Sequence, residues 1–170
     1  CLIKQLINTK TDNTLMSAQP LRSVYQIKIT LTGLKPPIWR TLLIPNTITL
    51  DNLHLVLQIA MGWTNSHLHQ YVSGQEIYSL PDDEFDYDFE IKDESQFKVS
   101  QLLKKEKDTI QYEYDFGDGW LHKIVLEKIL PFDASTTLPC CIRGKRNCPP
   151  EDCGGIWGYN ELLETLQDPS

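Results

Sequence analysis

Residues 109–130 read TIQYEYDFGDGWLHKIVLEKIL, and the way this run turns back on itself decides how the rest of the chain is assembled. Apolar side chains alternate on both sides of Gly117-Asp118-Gly119, the period of two strands that each bury one face. Two hairpin registers compete. A two-residue Asp-Gly turn places Asp115 opposite His122, whereas a three-residue Gly-Asp-Gly loop, with Gly119 in the left-handed region, pairs Tyr114 with His122. The three-residue loop puts Ile110, Tyr112, Tyr114 and Phe116 on the same face as Trp120, His122, Ile124 and Leu126. The two-residue turn sets those aromatic residues opposite Lys123 and Glu127, because a one-residue slip moves every side chain to the other face. The apolar pattern therefore selects the three-residue loop and expects His122 among aromatic residues. Asp118 is what a turn prefers in any case. Asp115, which interrupts an aromatic strand, is not demanded by the turn.

Working outward, Tyr25, Ile27, Ile29 and Leu31 alternate with Gln26, Lys28 and Thr30 in VYQIKITLTG, and after the bend GLKPP the run IWRTLLIP gives a second strand ending at Pro45. Leu50, Leu53, Leu57, Ala60 and Met61 recur at helical spacing, with Thr49 as N-cap, Asp51 at the positive end of the dipole and Gly62 to close the helix. A strand HLHQYVSG, an acidic loop and a short helical turn at KVSQLL lead into the hairpin. This order predicts an α+β fold: a β-grasp-like, mixed but mainly antiparallel sheet packed on one main helix. An appended C-terminal hairpin and a Cys/Pro/Gly-rich loop complete it. Residues 1–22 read as a poorly ordered lead-in, residues 23–170 as a single domain, and the tail GYNELLETLQDPS as a short helix ending before Pro169.

The chain has 170 residues, 41% hydrophobic and 23% charged, which suits one globular domain. No apolar run approaches the roughly 20 residues needed to span a bilayer, and no signal-peptide core is present, so no membrane partner is expected. Residue 1 is not a methionine, so it need not be the native start; lipidation of Cys1 is the less favoured use of that residue. The net charge of −7, from 16 basic and 23 acidic residues, argues against nucleic-acid binding through non-specific charge. Part of the acidic excess lies in PDDEFDYDFEIKDE, residues 81–94, read as a solvated loop that lacks the ligand spacing and glycine turn of a calcium site. Five cysteines, an odd number, argue against a secreted disulfide scaffold and for a reducing, cytoplasmic setting.

Four stretches, KPPIWRTLLIP, LHLVLQIAMGWTNSHLHQY, YEYDFGDGWLHKIVLE and GKRNCPPEDCGGIWGY, together resemble the plasmid pRiA4b ORF-3-like family from about residue 24 to residue 168. The resemblance implies a small α+β bacterial or archaeal protein, often encoded near plasmid and transposon genes and sometimes described as a transposon passenger protein. It supplies no reaction.

The residues offer two candidate sites. Cys141, Cys148 and Cys153 form a C-x6-C-x4-C array in a Gly/Pro-rich segment; with Cys140 or a histidine as fourth ligand they would suit tetrahedral zinc, and otherwise they are packed free thiols. His67 and His69 lie two apart and would share one face of a strand, close enough to the hairpin for His69 and His122 to meet. A polar pocket of His67, His69, Asp115 and His122 is thus expected, while His54 reads as a core histidine. Glu151 and Asp152 would cap a helix or ligate a cation, capping being favoured. Arg143, Lys145 and Arg146 form the compact basic cluster, solvated or meeting a phosphate. Trp39, Trp63, Trp120 and Trp157 would lock loops against the core or stack on nucleobases. No nucleophile elbow, Walker loop, dinucleotide fingerprint or H-E-x-x-H motif is present. The first reading is a non-catalytic binding or adaptor module, beside mobile-element or defence genes, with an unknown protein partner. The alternative is a metal-dependent hydrolase, such as a nuclease, using the same His and Asp residues.

Overall fold

The computed structural model describes residues 23–81 and 90–167. The expected lead-in, Cys1, most of the acidic run and Pro169 fall outside the described residues. The elements are β1 (Val24–Leu31), β2 (Ile38–Pro45), α1 (Leu50–Met61), β3 (His69–Ser73), β4 (Glu76–Ser79) and β5 (Ile91–Asp93). A 3-10 turn (Glu94–Gln96) follows, then α2 (Val99–Leu102), β6 (Thr109–Tyr114), β7 (Trp120–Leu130), β8 (Cys140–Lys145) and α3 (Gly155–Gln167). This is a mixed α+β fold with few helices and one eight-stranded sheet in the order β5-β4-β3-β6-β7-β1-β2-β8. All pairings are antiparallel except β4–β5 at one edge.

The alternating residues of β1 do what their period demands. Tyr25, Ile27, Ile29 and Leu31 are buried, and β1 pairs with β2 on one side and β7 on the other. On the same face Leu50, Leu53, Val56, Leu57 and Met61 of α1 join Tyr71, Tyr112, Ile124 and Leu126 in one continuous core. Helix α1 begins and ends where its pattern predicted. Gly62 is left-handed at φ 86°, but the Thr49 side chain makes no capping bond and turns to Asp51 and Asn52 instead. The opposite sheet face carries exposed Thr109, Gln111 and Lys123, as an antiparallel sheet with one solvated face allows.

Three expectations change. The β6–β7 hairpin is not an appendage. Strand β7 runs through the middle of the sheet, because its free edge is taken by β1. Part of the Cys/Pro/Gly-rich segment is not a loop but strand β8, which is added beyond β2; its mostly exposed residues carry no apolar alternation to announce it. The hairpin register also differs: Tyr114 faces Trp120 and Tyr112 faces His122, leaving 115–119 as the connection. The shift from the expected register is two residues, so the buried face survives for every strand residue. Phe116, expected on that face, falls in the connection and is 49% exposed.

Candidate functional site: a His67–Asp115–Asp152 cluster

The longer hairpin connection exists because Asp115 leaves the strand. Its backbone turns left-handed at φ 58°, and its Oδ1 accepts from the N–H groups of Gly117 and Asp118 at 3.0 and 3.3 Å. This Asx-type turn fixes the buried carboxylate and leaves Oδ2 to meet His67. Asp115 N donates to Leu68 O at 2.9 Å, which brings the segment before β3 alongside and sets His67 Nε2 3.6 Å from Asp115 Oδ2.

The third group comes from a distant segment. Asp152, at φ 56°, stands 3.2 Å from His67 Nε2 through its Oδ1. Its loop is docked on the hairpin connection at Gly154 and Gly155: Gly154 N donates to Asp118 Oδ2 at 3.3 Å, and a Cβ on Gly155 would lie 2.6 Å from Asp118 O. Gly155 is also left-handed, at φ 65°. Trp63 helps hold the same loop, its Nε1 donating to Pro149 O at 3.0 Å. Gly155→Ala therefore forces apart two backbones and strains the residue's own left-handed φ. A cost of about 1–3 kcal/mol in unfolding free energy is expected, measured by urea denaturation against the parent.

The three donor atoms lie within 4.8 Å of one another, and among the described residues this is the group of three or more His, Cys, Asp or Glu side chains so arranged. His67 Nε2 is within ion-pair reach of both carboxylates, yet makes no hydrogen bond of normal geometry and is shielded from solvent. The nitrogen thus has one carboxylate oxygen on either loop within 3.6 Å and is hydrogen-bonded to neither. A cation about 2.1 Å from each donor would set donors roughly 3–3.6 Å apart. Asp152 is largely exposed, so one side of the cluster is open to solvent.

Behind the cluster, Glu151 accepts from the Tyr114 hydroxyl at 2.5 Å, from Thr64 N at 3.2 Å and from the Thr64 hydroxyl. Burial pushes the Glu151 carboxyl up, but the Thr64 and Tyr114 hydrogen bonds outweigh it and hold the group below its ordinary value. Burial first, and donation to Glu151 second, push the Tyr114 hydroxyl up to about 12, so it stays a donor. Glu151 is thus committed to tying the two loops together, while its neighbour Asp152 faces the cluster.

Of the expected pocket, the structure brings together His67 and Asp115. His69 points into the core, where its Nε2 meets Glu94 Oε2 at 2.9 Å, and its ring stacks at 3.4 Å on the ring of His54. His122 is fully buried, edge-on to Trp63 at 5.3 Å. His69 and His122 lie near Tyr112, at 5.9 and 5.4 Å between ring centroids, and neither is part of the His67 cluster. Cys141, Cys148 and Cys153 are not gathered at one point. Cys141 is exposed on β8, Cys148 lies between Arg40 and Met61 with burial raising its thiol pKa, and Cys153 sits near Gly155 O. The fourth-ligand candidate Cys140 is paired into β8 opposite Leu43. His54 is a core histidine as expected.

With this geometry the relatives can be placed. The profile of the plasmid pRiA4b ORF-3-like proteins matches residues 23–170, which includes every residue of the cluster. The chain belongs to the plasmid pRiA4b ORF-3-like family. It is 41% identical over 148 residues to the uncharacterized protein y4hQ of Sinorhizobium fredii (strain NBRC 101917 / NGR234), covering 87% of this chain and 75% of that one. A crystal structure of a protein of unknown function from Methanosarcina mazei Go1, MM3350, superposes with a TM-score of 0.78 at 35% identity, covering 88% of this chain and 84% of that one. The MM3350 protein thus shares the fold of this pRiA4b ORF-3-like chain.

Proposed function

We propose that the protein binds one divalent cation through His67 Nε2, Asp115 Oδ2 and Asp152 Oδ1, and acts as a metal-dependent hydrolase on that centre. The reading is carried by one observation: an imidazole nitrogen without a hydrogen bond faces two carboxylate oxygens from separate loops, all within 4.8 Å. One nitrogen and two oxygen donors suit manganese, iron or zinc better than magnesium or calcium, which prefer oxygen alone. Three protein ligands with an open side are the pattern of centres that keep positions for water and substrate. The cation would polarise a substrate oxygen or lower the pKa of bound water.

Calorimetry should find about one site for Mn²⁺ or Zn²⁺, and Asp115→Asn should weaken it by about a hundredfold or more. Asparagine keeps the Oδ1 acceptor for Gly117 and Asp118, so the turn survives the change. Cys148→Ser should leave affinity unchanged. Loss of the cation in Cys148→Ser, with Asp115→Asn unaffected, would return the metal to the thiols.

The non-catalytic reading, a binding or adaptor module working beside mobile-element or defence genes with a protein partner, is supported by the solvent-facing Asp152, which leaves room for a partner's own ligand. A screen of phosphodiester substrates in Mn²⁺ and Mg²⁺ separates the two: turnover lost in Asp115→Asn supports the hydrolase. We further propose a cytoplasmic location, supported by four unpaired thiols among the described residues. The β-grasp-like comparison is proposed only for the segment from β1 through α1 to β3, where a hairpin packed under one helix supplies the support.

A further inference from the structure

Five residues beyond Asp152, the side chain of Trp157 stands 87% exposed on α3. Such exposure of the largest apolar side chain has a structural cause. The preceding residue, Ile156, packs onto the β1–β2 connection so closely that a Cβ on Gly33 would lie 2.3 Å from its Cδ1. Seating Ile156 inward turns Trp157 outward. A groove of about 630 Å³ runs between α3 and that connection, lined by Trp157, Asn160, Glu161 and Glu164 on the helix and by Lys35 and Arg146 across from it. Trp157, Asn160, Glu161 and Glu164 follow the spacing of one helical face. Neither Lys35 nor Arg146 is in an ion pair among the described residues.

We infer that this groove binds single-stranded nucleic acid, stacking a base on Trp157 with the adjoining phosphates on Lys35 and Arg146. An exposed indole offers a platform for any base face, and two cations without an ion-pair partner line the same groove, where they can meet the adjoining phosphates. The carboxylates of Glu161 and Glu164 oppose phosphate, so they meet the base instead, accepting from an exocyclic amine such as the cytosine N4 group. The net charge of −7 fits this arrangement: it rules out a broad phosphate-reading surface and leaves a stacking-led site. The groove also lies near the cation cluster. Trp157 follows Asp152 by five residues, so their Cα atoms are at most about 18 Å apart, a distance that a strand of a few nucleotides held here can span. The inference therefore deepens the hydrolase reading by naming its substrate class, while the groove itself needs no cation.

The test uses a short fluorescein-labelled oligodeoxycytidylate in buffer containing EDTA, so that a failure of the metal reading leaves it intact. Polarisation should rise and tryptophan emission fall on binding. Trp157→Ala should weaken binding by roughly five- to 150-fold, the value of one stacked base, without changing the melting temperature of so exposed a site. Trp157→Phe should recover part of the loss. Two phosphate contacts predict a slope of log K against log salt of about −1.4. Equal binding by Trp157→Ala, or a slope steeper than about −4, overturns the inference. So does a dimer of the parent that Trp157→Ala dissolves in the absence of any strand binding, which would make Trp157 a self-association contact.

Discussion

Replacing Glu94 with alanine should lower the unfolding temperature by roughly 6–20 °C, a loss of about 3–5 kcal/mol. Glu94 is 1% exposed and His69 is 3% exposed, and both carboxylate oxygens lie within hydrogen-bond distance of His69 Nε2, at 3.0 and 2.9 Å. The His69 ring is further enclosed by the parallel ring of His54 and the edge of Tyr71. Deleting the carboxylate leaves a polar nitrogen buried in the core without its partner, and the penalty is that of the orphaned group rather than the value of the pair. Glu94→Gln keeps an acceptor for the Nε2 proton and should cost about 1–2 kcal/mol. Joint replacement, His69→Phe with Glu94→Leu, should recover most of the alanine loss, since packed apolar groups replace a buried pair at little cost. Urea unfolding of the four proteins measures these differences. A Glu94→Ala variant within about 0.5 kcal/mol of the parent, as exposed sites behave, would refute the buried pair.

Glu94 also shows where sequence reasoning stopped. It ends a run of acidic residues whose composition describes a solvated loop, and nothing in that run distinguishes the one carboxylate that a 3-10 turn, capped by Asp93 accepting from Ser95 N, carries into the core. The elements with strong periodicity were legible: β1, β2 and α1 follow from alternation and helical spacing because each buries one face against a large core. The short strands were not. β4, β5 and β8 carry few buried residues, and β8 is recruited by pairing with β2 rather than by its own pattern.

The hairpin was read with the right face and the wrong loop, since an even shift preserves alternation while Asp115 adds an Asx-type turn that hydrophobicity does not record. For the cluster, strand alternation joined His67 to His69, but β3 begins only at His69, and His67 lies before it on a segment held by Asp115. For Asp152 the sequence favours helix capping over a cation-ligand role. The signal that could have promoted it is the Gly154-Gly155 pair immediately after Cys153, since adjacent glycines permit the close backbone approach that docks this loop on Asp118.

The same aromatic face that made His122 legible as a core residue sets the protein's acid sensitivity. Burial lowers the His122 pKa to about 4, only partly opposed by the Tyr112 and Trp120 backbone carbonyls, and its Nε2 has no hydrogen-bond partner. Burial, and next the neighbouring His69, lower His54 to about 4 as well. The tautomer of His54 follows from its neighbours. Gln58 Nε2 donates to the Tyr112 hydroxyl oxygen at 3.1 Å, so the Tyr112 proton goes to His54 Nδ1 at 2.8 Å, and His54 Nε2–H donates to Asn65 Oδ1 at 2.6 Å. A proton added at Nδ1 would break that chain. Both histidines titrate near 6.5 once unfolded, so between pH 6.5 and 4 the unfolded chain takes up two protons that the folded protein refuses. Their contribution to stability is fully present above about pH 6.5 and is lost as the pH falls toward 4, on the order of 3 kcal/mol for each. Near pH 5 the pair should give unfolding free energy a slope approaching about 2.7 kcal/mol per pH unit. His122→Phe fills the same space with a ring that cannot titrate, and should reduce the slope by about 1.4 kcal/mol per unit. Urea titrations across this range measure both. A slope unchanged by His122→Phe would mean that the folded protein already accommodates a charged imidazole beneath Trp63, contrary to an atom sealed in the core without a partner.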